Sequence, residues 1–208
     1  MKRIMIVLAL ASGAMSVHAQ NLSLGPTVGF GHAWTSSDNG GVNGRFHPSY
    51  NLGGKLVYSF VSHWGISADV KFSSEGETLG ADNDNKTVYR ANYIRVPLQG
   101  IYFFGDYGNK VRPKISAGPS LGFLVGGESS VYTNGNQTNV VKTKDYLNSF
   151  DFGLTGAVGM NIRVAKATWL NADIAYYHGL TDVVDNASAK NRNIGVNVGI
   201  LFPIGTVK

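Results

Sequence analysis

The sequence contains no cysteine. That absence excludes a disulfide framework, a thiolate metal site, a cysteine nucleophile and a lipid anchor carried on cysteine. No run of about 18 apolar residues occurs, so no transmembrane helix is expected. Charge is sparse: Asp, Glu, Lys and Arg make up 15% of the residues, for a net charge of +5. The two signs are interspersed, and no Lys/Arg cluster is interleaved with aromatics. Nucleic acid is therefore not an expected partner. There is also no His pair at metal-ligand spacing, no phosphate-binding glycine loop and no G-x-S-x-G stretch. The expectation is no catalytic residue, no cofactor and no metal.

What the chain has instead is glycine, 27 residues of it, and period-two patterning. The stretch "NIGVNVGILFPIG" (193–205) places Ile194, Val196, Val198, Ile200 and Phe202 at alternate positions. Asn193, Gly195, Asn197 and Gly199 fall between them. Successive strand side chains point to opposite faces, so such a strand has one greasy face and one small, polar face. Averaged over the chain the two cancel, leaving a mean hydropathy of −0.04.

The N-terminus differs. Lys2 and Arg3 precede an apolar run, Ile4 to Leu10, and Val17-His18-Ala19 fits a small-residue cleavage site. We read residues 1–19 as a signal peptide and 20–208 as one β-barrel domain. Period-two segments then run at about 22–35, 50–61, 65–78, 88–104, 111–125, 148–163, 168–180 and 192–204. The connections alternate between short ones and longer ones rich in Gly, Asn, Asp and Ser. Short turns at one end and long loops at the other are the rhythm of an outer-membrane barrel.

Charge placement separates a membrane barrel from a soluble one. Across the alternating runs of the first seven segments, such as Ile66–Phe72 in the third and Ile94–Gln99 in the fourth, no Asp, Glu, Lys or Arg falls on the greasy face. Lys55, Asp69, Lys71, Arg95, Lys114, Asp151 and Asp173 all fall on the other face. A charge facing lipid costs roughly 2–4 kcal/mol for Arg or Lys at mid-bilayer. The interior of an eight-stranded barrel is only wide enough to be filled by side chains. The seven charges are thus expected to form a paired luminal network with a structural role. Trp34, Tyr50 and Phe150 lie toward the loops, and Phe60, Trp64, Tyr102, Phe104 and Phe202 toward the turns, as two aromatic girdles would. The fold class these patterns predict is all-β: an eight-stranded antiparallel up-and-down transmembrane β-barrel.

Four stretches carry a family resemblance: "YIRVPLQGIYFF" (Tyr93–Phe104), "PKISAGPSLGFL" (Pro113–Leu124), "FDFGLTGAVGM" (Phe150–Met160) and "ADIAYYHGLTDV" (Ala172–Val183). In this order they resemble the PorT-like family of Bacteroidetes outer-membrane β-barrels. The resemblance implies the cell outer membrane as location, outer-membrane lipid as surroundings, and, from the family's namesake, an accessory role in type IX protein secretion. It implies no catalytic residues.

Other readings fare worse. "ADNDNK" (Ala81–Lys86) lacks the glycine turn of a calcium loop and reads as a solvated loop tip. A lipid-modifying enzyme needs a base beside its nucleophile, and neither His32 nor His178 has Ser two residues on. The expected protein is a monomeric, non-enzymatic scaffold. It would meet envelope or secretion-complex proteins through the external loops Ser36–Ser49 and Gly126–Leu147. A narrow channel for small solutes or ions, lined by Lys55, Asp69, Arg95 and Asp151, is the transport alternative.

Overall fold

The structure is a computed structural model and describes residues 22–37, 44–60, 63–80, 82–106, 108–184 and 188–204. The signal segment read at residues 1–19 lies outside them. The strands are β1 (Leu22–Ser37), β2 (Gly44–Arg45), β3 (Pro48–Ser59), β4 (Trp64–Gly80), β5 (Lys86–Phe103), β6 (Val111–Thr133), β7 (Asn136–Lys142), β8 (Phe150–Arg163), β9 (Trp169–Gly179) and β10 (Ala189–Pro203). Among the described residues no helix is long and apolar enough to cross a membrane.

Eight of these strands form a ring. Each long strand pairs antiparallel with the next along the chain, and β10 closes on β1. The architecture is an all-β, eight-stranded up-and-down barrel. Following paired residues once around it leads from Leu22 through Tyr58, Ile66, Gly100, Ala117, Gly156, Tyr176 and Ile194 to His32. His32 lies ten residues above Leu22 on the same strand, which gives a shear of ten. With ordinary strand rise and spacing, that stagger tilts the strands by roughly 40°.

The greasy face is the outer one. Val28 is 52% exposed, Leu52 61%, Val70 58% and Ile174 54%, whereas Asp69 is 3%, Arg95 4% and Asp151 0% exposed. A water-soluble barrel would show the reverse distribution. Glycine lets the ring close this tightly. At inward-facing Gly159 an added Cβ would run into the Ala172 carbonyl and the Asp173 carboxylate. The turn end of the lumen is filled by Val57, Ile101, Phe103 and Leu201, with Trp169 packed against them. Arg112 lies over the Phe103 ring at 4.0 Å.

Two features depart from the sequence expectation. The segment Gly126–Leu147, read as a loop, is mostly strand. β6 continues to Thr133, turns at Asn134-Gly135, and returns as β7. Both turn residues have positive φ, 52° and 76°, the geometry of a tight type I′ hairpin. The second departure is charge on the outward face near the loops: Arg90 donates to the hydroxyl of the exposed Tyr50 at 3.0 Å, and Arg192 pairs with His178 at the loop end of β10. Its guanidinium donates to the carbonyl of Gly179 at 2.7 Å.

Val28 sits midway along β1, level with Leu52 and Val198. Val28→Arg is expected to lower unfolding free energy in lipid by about 2–4 kcal/mol. Urea titration of the refolded protein measures this. A change within a few tenths would mean that this face does not meet hydrocarbon.

Candidate functional site

The barrel lumen holds two charged tiers. The lower one rests on β3, β4, β6 and β9. Lys55 Nζ is 3.2 Å from Asp69 Oδ2 and 4.0 Å from Asp173 Oδ2, and Lys71 Nζ lies 3.9 Å from Asp69. Lys114 Nζ reaches Asp173 Oδ1 at 2.8 Å and donates to Asn171 Oδ1 at 2.9 Å. Asn171 in turn donates to Asp173 at 2.7 Å. Three lysines thus face two aspartates.

The upper tier is built on Arg95. Its Nε and Nη2 donate to the two Glu75 oxygens at 2.6 Å each, and Nη2 also meets Asp151 Oδ2 at 2.7 Å. Ser73 donates to Glu75, and Asn191 to Asp151. The guanidinium lies over the Tyr177 ring at 4.0 Å and the Tyr93 ring at 4.7 Å. A forked bidentate contact between aromatic faces suits Arg and not Lys. One arginine here faces two carboxylates.

The seven charged residues named from sequence therefore lie inside the ring, each within 4.0 Å of an opposite charge. The sequence reading omitted Glu75, Tyr93, Tyr177, Asn171 and Asn191. Glu75 continues the period of Asp69, Lys71 and Ser73, so the alternation carried it. Tyr93 and Tyr177 share the faces of Arg95 and Asp173. Alternation therefore puts both inward, where their rings lie against the Arg95 guanidinium.

Between the tiers is a void of about 50 Å³, lined by Lys71, Ser73, Arg95, Tyr177, Asn51 and Asn197 among others. Above Arg95 the lumen widens into a cup of about 590 Å³ at the loop end. Its lining includes Glu77, Tyr89, Ala91, Tyr146, Leu147 and Val183. The floor is Asn191, bonded to Asp151 at 2.9 Å. A short 3₁₀ turn, Thr143–Asp145, and the bridge between Leu147 and Val184 form part of the rim.

Of the aromatics named as girdles, Tyr50, Phe60, Trp64, Phe104, Phe150 and Phe202 are exposed on the outer wall. Trp34 and Tyr102 are half-buried by neighbouring rings. At the turn end Trp64 and Phe104 both meet Tyr102 edge-on, at 5.0 and 5.3 Å. At the loop end Trp34 stacks on His32 at 5.1 Å, and Phe150 lies 5.6 Å from Phe123.

The "ADNDNK" tip closes on itself. Asp82 Oδ1 accepts from the backbone N–H groups of Asn85 and Asp84, at 2.6 and 2.9 Å, and Asn85 also donates from its side chain. These bonds, chiefly those from Asn85, hold the Asp82 carboxyl below its usual pKa range. Among the described residues no three His, Asp or Glu side chains cluster closely enough to hold a metal ion.

The model of the outer membrane protein beta-barrel domain matches residues 18–185. The chain belongs to this family. It is an outer-membrane β-barrel protein, located where the lipid-facing wall and closed strand ring fit. A search of curated proteins returns no match. Among solved structures, the outer membrane protein OprG from Pseudomonas aeruginosa superposes with a TM-score of 0.51 at 12% identity, covering 86% of this chain and 92% of that one. Neisserial surface protein A gives 0.49 at 17% identity, covering 86% and 97%. Ail, the attachment invasion locus protein of Yersinia pestis, gives 0.45 at 15%, covering 86% and 98%. At these identities the likeness is one of fold.

Arg95 holds two buried carboxylates in this barrel. Arg95→Met is expected to destabilise it by about 3–5 kcal/mol, because Glu75 and Asp151 lose their counter-charge without regaining water. The combined change Arg95→Met, Glu75→Gln, Asp151→Asn is expected to restore most of that loss. Urea unfolding in detergent reports both. Equal stability of wild type and Arg95→Met would show that the tier is not what holds the strands in place.

Proposed function

We propose that the protein is a non-enzymatic outer-membrane scaffold that presents its loops and the β6–β7 hairpin to other envelope proteins. A PorT-like accessory role in protein secretion is the specific form of that reading. The observation that carries it is the filled lumen. Paired charges, the small void between them and the apolar plug at the turn end leave a cylinder with no built path for solute. Outer-membrane barrels carry their long loops externally. All seven residues of β7 are exposed, with Val140 and Val141 among the exposed apolar side chains. A rigid hairpin of this kind offers backbone groups and side chains for contact. The barrel then acts as the mount, and lipid is its solvent.

Two measurements test this. In planar bilayers the refolded protein, checked for folding by its gel shift on boiling, is expected to insert silently. Discrete, reproducible current steps would replace the scaffold with a narrow channel lined by Lys55, Asp69, Arg95 and Asp151. Replacing residues 128–142 by a short turn is expected to keep the gel shift and abolish cross-linking to envelope proteins in cells. Unchanged cross-linking would remove the hairpin from the contact surface.

A further inference from the structure

The cup at the loop end has the dimensions of a small-molecule site, within the usual range of about 300–1,000 Å³. It is closed below by the Arg95, Glu75 and Asp151 tier, each of them nearly fully buried. A molecule entering from the loop side therefore stops there. Its walls come from separate elements: Tyr89 and Ala91 from β5, Leu79 and Glu77 from β4, Tyr146 and Leu147 from the segment after the 3₁₀ turn, Val183 from the segment before β10. Aliphatic and aromatic walls with few polar groups favour an apolar body.

The polar groups are specific. Glu77 lines the cup together with Thr35. Among the described residues it has no ion-pair partner. Arg90, which also contributes to the lining, directs its guanidinium to the Tyr50 hydroxyl at 3.0 Å and over the Tyr50 ring, on the outer wall. Thr143, fully buried, lines the cup with a hydroxyl that has no hydrogen-bond partner among the described residues. A buried hydroxyl without a partner marks a place where another donor or acceptor fits.

We propose that the loop-end cup is a closed-bottomed binding site for a small, mostly apolar molecule bearing a protonated amine, with Glu77 as its counter-ion. The apolar body packs between Tyr89, Tyr146, Leu147 and Val183. The ammonium donates to the Glu77 carboxylate, and Thr143 offers a second polar contact. The site is independent of the loop-partner reading: it needs only the folded barrel and its rim.

The test uses the whole barrel in lipid nanodiscs at neutral pH, with empty nanodiscs subtracted. The probes are 2-phenylethylamine and 2-phenylethanol, close in shape and differing in charge. Saturation-transfer NMR and titration calorimetry read the binding. The amine is expected to bind at least tenfold more tightly than the alcohol. Glu77→Gln is expected to remove that preference, bringing the two probes to within about twofold of each other. Leu147→Trp, on the rim and outside the strands, is expected to weaken both at least fivefold by filling the cup. The gel shift on boiling confirms that each variant is folded. Equal binding of the two probes by wild type overturns the proposal, as does a preference that survives Glu77→Gln. So does the absence of any binding above the empty discs at millimolar concentration.

Discussion

Hydrocarbon offers no hydrogen bonds, and this constraint governs the molecule. Every backbone N–H and C=O of a strand in the bilayer must find a partner within the protein. The ring from β1 to β10 meets the demand by leaving no edge. Closure at eight strands then fixes the radius, the tilt and the narrowness of the interior. Once the interior is narrow, the inward side chains are no longer free. They must be small, as glycine is at 159, or they must bond to one another.

The charged tiers follow from that narrowness. Ions held out of water are tolerated only with counter-charges and hydrogen bonds around them. Arg95 meets the condition with two carboxylates and two aromatic faces, and Lys114 with Asp173 and Asn171. The same tiers that specify the strand arrangement also close the lumen. A structural requirement of the fold thereby sets how little open space is left along the barrel axis.

The barrel itself was legible because lipid enforces a strict rule. One charge on the outward face of Val28 or Leu52 would be costly, so period-two patterning stays clean along strand after strand. The inward face was readable as a set of residues and less so as a set of contacts. Which lysine meets which aspartate depends on the stagger between strands, and alternation is silent about stagger. Tyr93 and Tyr177 show the limit. Alternation puts both inward, but that their two rings meet on one guanidinium depends on the stagger that brings β5 and β9 to the same height. The β6–β7 hairpin had a local signal in Asn134-Gly135, masked by the polar composition around it. The cup had none, since its walls come from segments far apart in the chain.

The two tiers are individually unbalanced. The lower carries one cation in excess, the upper one anion, and the upper lies toward the loops. The lumen is therefore a fixed electric dipole along the barrel axis, with its negative pole beneath the cup. In a low-dielectric sleeve of protein and lipid such a field is weakly screened. It lowers the potential at the loop-end mouth even where no side chain touches the visitor, so charges buried to hold the strands together also favour cations at the entrance.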